Sequence, residues 1–358
     1  MEELQFLKNI NTIDELIPIL KEHKLVYKEY KQLDLILIKY NKEKSNMKSS
    51  DVLKCRGLVL DKNLNIVCFP PIKSSELNEF TNNKIISKLD VEEFLDGTMI
   101  NLFYYNGWHI STRSNIGANC RWYSKKHFND LFTESSNIDF EKLDTDTFYT
   151  FVLQHPENRI VTTYSEPRVT LVHAGKIINN KLELLNIKSI GVNLNLNIPT
   201  KYNFNSLDEI ISFVEKQSFE FQGIVIKDGN TRSKIRNPNY NYVRNIRGNN
   251  NNIKYLYFDL KKNLFLAEYL RFFPEYTEQF EDYNKEYNDL IDTIFVNYQN
   301  YHVRKVIKDI KNIPYNARRF CYELHGVYKE TKKHINRNAV LNYINSLPPA
   351  RIVYALNN

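Results

Sequence analysis

The sequence of 358 residues lacks paired cysteines and long apolar runs. Its four cysteines, Cys55, Cys68, Cys120 and Cys321, are scattered and form no CxxC motif, which argues against a zinc site and favours reduced thiols. No secretory signal peptide is recognisable, and no apolar stretch reaches the ~18–20 residues that span a bilayer. We therefore expect a soluble, cytoplasmic protein without a membrane partner.

The composition is that of a globular protein, with 42% hydrophobic and 25% charged residues, and the length predicts two domains. Lysine and arginine exceed aspartate and glutamate by 49 to 42, giving a net charge of +7. This modest excess suits a polyanionic partner without requiring one. The aromatic content of 13% is typical of AT-rich coding sequence, and base-stacking surfaces are the alternative explanation.

The first 250 residues carry mainly strand patterns. TIDELIPILKEHK opens with a capping box, Thr12 and Glu15, and predicts a first helix. From Leu33 to about Ile226, short alternating runs predict an antiparallel-rich sheet system that one helix, SLDEIISFVEK, interrupts. These runs are LDLILIKY, GLVLD, NIVCFPP, TMINLFYY, WHISTR, TFYTFVL, RIVTTY, RVTLVHA and GIVIKD.

Beyond the asparagine run at 249–252 the periodicity is helical to the end of the sequence. We interpret that run as a solvated linker and predict an α+β protein with domains at 1–250 and 251–358, the second all-α. HVRKVIKDIK and Arg318-Arg319 are candidates for a nucleic-acid path or, alternatively, for a solvated helix face. Gly326 lies inside a helical run and suggests close helix packing or a break.

The order of several short segments resembles the phage-type RNA ligase family, typified by RNA ligase 1. That family has an Arg-Gly strand, a Phe/Pro-rich segment with a lysine, and a Lys-x-Asp-Gly strand whose lysine attacks the α-phosphorus of ATP. Here the segments are CRGLVLD, FPPIKSSELNEF and FLDGTMINLF. WHISTRSNIG, QHPENRIV, FQGIVIK and SKIRNPNY resemble the later segments of the family. The resemblance covers about residues 50–247 and implies a nucleotidyltransferase domain of the ATP-grasp-like ligase type.

Three departures from the family pattern affect the nucleophile and the metal ligands. Phe94 stands at the position of the nucleophilic lysine, and a phenyl ring cannot attack phosphorus. FVLQ, at 151–154, offers no glutamate before the Pro-x-Asn-Arg segment. Gln222 replaces the glutamate before Gly-Ile-Val, and a neutral amide is a poor ligand for a hard divalent cation. The resemblance therefore predicts a pseudoenzyme with no metal site.

The positively charged positions are retained, which predicts a basic cleft that binds the phosphates of RNA or of a nucleotide. The binding residues that the resemblance implies are Arg56, Lys73, Asp96, Gly97, Arg113, Arg159, Gln222, Lys227, Lys234 and Arg236.

Three functions remain open at the level of sequence. The leading hypothesis is a catalytically impaired, RNA-ligase-like binding protein that needs no cofactor. The alternative is an active ATP-dependent RNA ligase that uses a non-standard lysine such as Lys88, with ATP and Mg²⁺ as cofactors and Asp96, Glu92 or Glu93 as metal ligands. The third is a scaffold that contacts a protein partner through its helical domain. Composition and resemblance together would fit a large DNA virus and a location in host cytoplasm or in the virion.

Overall fold

The computed structural model describes residues 4–358, which divide into two units. The first unit ends at Asn245, and the second comprises Ile246–Asn358. The division falls in the last turn of a helix, Pro238–Arg247. The asparagine run that follows is more than a linker, because the side chain of Asn252 caps the next helix by accepting a hydrogen bond from the Tyr255 amide at 3.0 Å.

Antiparallel strands build the first unit. Their bounds are β1 Leu25–Tyr30, β2 Leu35–Tyr40, β3 Arg56–Asp61, β4 Ile66–Cys68, β5 Asp90–Glu93, β6 Thr98–Tyr104, β7 Trp108–Ser111, β8 Thr147–Gln154, β9 Arg168–Ile178, β10 Lys181–Leu184, β11 Lys201–Tyr202, β12 Gly223–Asp228 and β13 Thr231–Arg236. Within the described chain they form three sheets, ordered β1-β2-β3-β4, β10-β9-β8-β6-β7 and β11-β5-β12-β13.

Helices flank the sheets and make up most of the second unit. In the first unit they are α1 Ile13–Glu22, α2 Ser50–Lys54, α3 Leu77–Thr81, α4 Phe128–Ser135, α5 Ile187–Leu194 and α6 Leu207–Glu215. α7 is Pro238–Arg247, and the second unit continues with α8 Ile253–Lys262, α9 Leu266–Phe272, α10 Thr277–Tyr298, α11 Tyr315–Thr331, α12 Arg337–Ser346 and α13 Pro349–Leu356. Among residues 4–358, no helix is both long and apolar enough to cross a membrane.

The sequence predicted the class of structure and missed several elements. The helix caps at Thr12 and Ser206 are confirmed, since each hydroxyl accepts a hydrogen bond from the amide three residues later. The expectation of one helix among the strands is wrong, because α2 to α5 also lie there. RIVTTY is not a strand, since the residues after Arg159 are recruited by hydrogen bonds to a distant carboxylate, described below.

Two expectations about the second unit are also corrected. Gly326 neither breaks α11 nor marks close packing, because a Cβ there would meet no atom within 4 Å. HVRKVIKDIK is not a helix face, since regular helical structure stops at Val303 and resumes only as the 3₁₀ turn Ile310–Asn312. The Arg318 guanidinium donates to the carbonyl oxygens of Lys311 and Ile313 and so holds this segment against α11.

The third sheet positions the candidate site. On one of its faces Ile224, Ile226 and Ile235 pack against Ile210 and Val214 of α6 in a buried apolar cluster. Because side chains alternate along a strand, the intervening residues face the other way. Those residues are mostly charged, and their face forms one wall of a cleft.

Candidate functional site

A row of basic side chains lies along β13. Arg232, Lys234 and Arg236 are spaced two apart and therefore share one face of the strand. They border a cleft of about 240 Å³ within the first unit. The other lining residues are Arg56, Glu92, Glu93, Phe94, Leu95, Gly97, Met99, Val152, Val172, Gln222, Val225 and Lys227.

Phe94 lies in this cleft directly after β5. Its amide donates to the Gly223 carbonyl at 2.9 Å, which continues the pairing of β5 with β12. Its ring lies beneath the cations of β13, with the Lys234 Nζ 4.1 Å and the Arg236 guanidinium carbon 5.5 Å from the ring centroid. These are cation–π distances. The side chain at the family's nucleophile position therefore points into the cleft and supports the cations there.

Lys234 has an unusual environment for an amine. Among residues 4–358 no carboxylate lies within ion-pair distance of its Nζ. Burial first, and then the neighbouring guanidinium groups, lower the pKa of Lys234 to about 6. At neutral pH the ligand-free amine is therefore mainly uncharged, and arginines supply most of the positive charge.

Lys227, Arg232 and Arg56 are anchored by protein oxygens. The Lys227 Nζ pairs with the buried carboxylate of Glu92 and donates to the Val172 carbonyl at 3.1 Å. Burial lowers the pKa of Lys227, and the Glu92 charge opposes that shift. The Arg232 Nε donates to the Ile72 carbonyl at 3.0 Å, and burial lowers its pKa to about 9, so it stays protonated at neutral pH. Arg56 donates weakly to the Pro71 carbonyl at 3.4 Å.

Gln222 faces the cleft with an unsatisfied acceptor. The residue is 9% exposed, and its side-chain oxygen has no hydrogen-bond partner among the described residues. A buried acceptor without a donor costs about 1–3 kcal/mol, so a bound group that donates a hydrogen bond would be stabilised here. Gly223 follows with φ +142°, and a Cβ there would overlap the Ile235 carbonyl oxygen. Glycine is required for this close pairing of β12 and β13.

Asp96 is buried within the fold and does not line the cleft. Its Oδ2 accepts from the Val161 and Thr162 amides, both at 2.9 Å, and its Oδ1 accepts from the Tyr240 hydroxyl at 2.8 Å. The carboxylate thus ties the segment after β8 and α7 to the strand pair. Burial, followed by the charge of Asp96, raises the pKa of Tyr240.

Several residues predicted to bind phosphate lie outside the cleft lining. Arg113 donates to the Tyr40 carbonyl at 2.6 Å and stacks on the Tyr40 ring. The Lys73 ammonium donates to the Ser74 carbonyl at 3.3 Å, and the Arg159 Nε donates to the Val161 carbonyl at 2.9 Å. Lys88 is exposed on the 3₁₀ turn Ile86–Lys88 and has no place in this lining.

Among residues 4–358, the acidic side chains at the cleft do not form a divalent-cation site. Glu92 is neutralised by Lys227, and Asp96 is bound by three donors, so neither carboxylate is open to a metal. Glu93 by itself offers one carboxylate, which is too few ligands to hold a divalent cation. The residues present therefore do not fit the Mg²⁺ that the family resemblance implies.

A separate group of potential ligands, Glu134, His155 and Glu157, lies outside the cleft. It already contains a cation, because the Lys126 ammonium pairs with both glutamates at 2.9 and 2.8 Å. The His155 Nδ1 accepts a hydrogen bond from the Glu157 amide at 3.1 Å. These contacts give His155 a structural role.

The structure adds one charged cleft residue, Arg232, and one ion pair, between Glu92 and Lys227, that the sequence analysis missed. Arg232 could have been found from the spacing of two that it shares with Lys234 and Arg236. The pairing of Glu92 with Lys227 had no signal in the sequence, because it depends on the register that places β5 beside β12. Phe94, Gly97, Arg56, Gln222, Lys227, Lys234 and Arg236 are the predicted positions that the cleft brings together.

Comparisons with known proteins point in one direction. No family model matches the chain. It is 25% identical over 230 residues to a protein of Autographa californica nuclear polyhedrosis virus described as a bifunctional polynucleotide kinase/RNA ligase, over 58% of this chain and 33% of the relative. It is 32% identical over 118 residues to an RNA ligase of Rhodothermus phage RM378, over 28% of this chain and 26% of the relative. The chain thus spans a third or less of the length of these two relatives.

A solved archaeal ATP-dependent RNA ligase superposes with a TM-score of 0.49 at 13% identity, over 76% of this chain and 71% of that one. The ordered segments around the cleft and the sequence matches to two RNA ligases carry the assignment. By these sequence matches the chain is RNA ligase-like.

Proposed function

We propose that the cleft binds phosphate groups of RNA or of a nucleotide, and that the chain is impaired as a ligase. The observation that carries the proposal is the row Arg232, Lys234 and Arg236 in the cleft, where Lys234 and Arg236 lie over the ring of Phe94. Guanidinium groups suit phosphate oxygens because their planar donors bind two oxygens at once. Phe94 removes the amine from the family position, and the engaged carboxylates remove the metal site.

The size of the cleft restricts what it can enclose. Its volume of about 240 Å³ lies below the ~300–1,000 Å³ of sites that bury a drug-sized ligand. Phosphates and an attached sugar fit better than a whole nucleoside triphosphate, whose base would extend outside. The proposal therefore favours contacts to the phosphodiester backbone or to the phosphate chain of a nucleotide over recognition of the base.

Binding of a labelled single-stranded RNA, measured as a function of salt, tests the proposal. For single strands, the logarithm of the association constant falls against the logarithm of salt with a slope of about −0.7 per phosphate contact. Arg236→Gln should weaken binding about five- to tenfold and reduce the slope by about one contact. Lys88→Gln removes an equal charge outside the cleft and is the matched control.

The outcomes separate the candidate functions. Equal, small losses in the two variants would indicate diffuse surface attraction and overturn the cleft proposal. No salt-dependent binding of RNA or nucleotide by the unaltered chain would favour a scaffold that contacts a protein partner through its helical unit. Joined RNA formed in the presence of ATP would overturn the proposed impairment. The proposal includes a cytoplasmic location for the protein.

A further inference from the structure

The cleft contains one lysine amine that is not held by a protein oxygen. Lys227 is bound by Glu92 and by the Val172 carbonyl, whereas the Lys234 amine makes no hydrogen bond or ion pair with residues 4–358 and lies over the Phe94 ring. Arginine side chains stay protonated and are not nucleophiles. Lys234 is therefore the cleft residue best placed to act as an amine nucleophile.

We propose that Lys234 is a covalent attachment site that supplies, from β13, the amine that position 94 lacks. Its substrate would be a nucleoside triphosphate whose phosphate chain enters the cleft. The inference goes beyond the proposed function and rests on it, because the phosphates must bind before the amine can react. It concerns self-modification of the chain and leaves the proposed impairment of RNA joining in place.

The geometry supports Lys234 of β13 as the replacement for the lysine that is missing at position 94. The Nζ of Lys234 lies 4.1 Å from the centroid of the ring at position 94, so the amine occupies the cleft directly above the side chain that replaced the family's lysine. Arg232 and Arg236 flank Lys234 on the same strand face. Their charges would bind the phosphate oxygens and stabilise negative charge as it develops on the leaving group.

The electrostatics support the same role. A nucleophilic lysine must be uncharged, and burial among cations achieves this by disfavouring the ammonium form. The pKa of Lys234, lowered to about 6, leaves the amine mostly neutral at pH 7. Lys88 has no such environment, because it is exposed and lies outside the cleft lining.

The chemical step balances with the nucleoside triphosphate as the only co-reactant. The lone pair of the neutral Nζ forms a bond to the α-phosphorus, and the bond from that phosphorus to its bridging oxygen breaks. Pyrophosphate leaves with the electron pair of the broken bond. One proton of the amine passes to water, and a phosphoramidate remains on Lys234.

The test uses the full chain and ATP labelled at the α- or γ-phosphate, with and without Mg²⁺. We expect the denatured polypeptide to carry label from α-labelled ATP and none from γ-labelled ATP. The bond should be acid-labile, and mass spectrometry should assign it to Lys234. Lys234→Arg keeps a positive charge but removes the nucleophile, and should lower the label more than about tenfold. Lys88→Arg is the control and should label as the unaltered chain does. Thermal unfolding checks that each variant is folded.

A second probe separates the reactivity of the amine from phosphate binding. Pyridoxal 5′-phosphate followed by borohydride should prefer Lys234 over Lys88 more strongly than pyridoxal does, because only the former carries a phosphate for the arginines. The same preference for Lys234 with both reagents would contradict the proposed phosphate binding. ATP binding without label, or label that persists in Lys234→Arg, would overturn the covalent role and leave phosphate binding intact.

Discussion

The Lys234 ammonium nitrogen lies 4.1 Å from the centroid of the Phe94 ring. Lys234 lies on β13 and Phe94 directly follows β5 of the same sheet, and the two side chains meet on the charged face of that sheet. A ring face attracts a cation, but burial beside arginines disfavours the charged amine. The pair therefore places an amine with a lowered pKa against an apolar ring.

The stability of the first unit should depend on pH through Lys234. Its folded pKa is about 6 against an ordinary value of 10.5, so between these pH values the unfolded chain binds a proton that the folded chain does not. The free energy of unfolding contributed by this group therefore rises with pH from about 6 to 10.5, by at most ~1.4 kcal/mol per pH unit. Lys234→Met should remove this dependence on pH. The variant should be more stable than the unaltered chain, by the largest amount at and below pH 6.

Tryptophan fluorescence can follow this change, because both tryptophans, Trp108 and Trp122, lie in the first unit. Denaturant titrations at several pH values give the difference between the variant and the unaltered chain. A difference that stays constant across this pH range would contradict the lowered pKa.

Loss of the Asp96 carboxylate should destabilise the first unit. Asp96→Ala leaves two amides and one hydroxyl without their acceptor, and each buried unpaired donor costs about 1–3 kcal/mol. We expect a loss of ~3 kcal/mol or more in the free energy of unfolding. Asp90→Ala is the control, since its exposed ion pair with Lys201 contributes ~1 kcal/mol or less. Similar losses in both variants would show that the buried network contributes little.

A carboxylate at position 222 should oppose phosphate binding. Gln222 lines the cleft beside Arg236, so Gln222→Glu places a negative charge where the phosphates would bind and provides a ligand for a divalent cation. RNA binding should weaken about tenfold without metal and recover in part when Mn²⁺ is added. Gln32→Glu changes the net charge equally on an exposed 3₁₀ turn, Lys31–Leu33, and should have little effect. Unchanged affinity in Gln222→Glu would place the bound phosphates elsewhere.

The second unit should lose stability in acid through two stacked histidines. The rings of His302 and His325 lie 3.9 Å apart at 13°. Burial, followed by the charge of His325, lowers the pKa of His302 to about 4, and burial also lowers that of His325. Because the ordinary value is 6.5, the unfolded chain binds the extra protons as the pH falls from 6.5 towards 4, and the free energy of unfolding declines over that range.

His325→Phe should reduce this decline, measured by far-ultraviolet circular dichroism of the helical second unit. Nearby Lys305 and Lys329 also disfavour protonation of the pair. Both lysines remain in the variant, so their effect on the pKa of His302 persists. His334→Phe alters an exposed histidine of the same unit and should leave the acid sensitivity unchanged. Equal acid sensitivity in all three proteins would exclude the stacked pair as its source.

Much of the fold could be predicted because its signals are local. The caps at Thr12 and Ser206 depend on residues within one helical turn, and alternation of apolar residues marked strands such as β2 and β12. The short helices α2 and α3 escaped prediction, because each has five residues and too few turns for periodicity to be read.

The candidate site was predicted less completely, because its contacts cross between segments. Phe94, Gln222 and Lys234 were identified by position in ordered motifs, and all three line the cleft. Asp96 belongs to the same motif, yet it lies in the connection between β5 and β6 and is buried in the interior, where backbone amides bind it. A sequence motif identifies the residue at a position but does not determine which groups that residue contacts in the fold.

The sequence by itself determined the resemblance to RNA ligases, the substitution at position 94, and the basic segment that contains Lys234 and Arg236. Tertiary structure decided which charges meet: that Glu92 neutralises Lys227, that Asp96 is sequestered, and that the Lys234 amine rests on Phe94. The physical reason is that propensity and periodicity act over a few residues, whereas ion pairing and pKa depend on strand register and burial, which bring distant segments into one region of low dielectric constant.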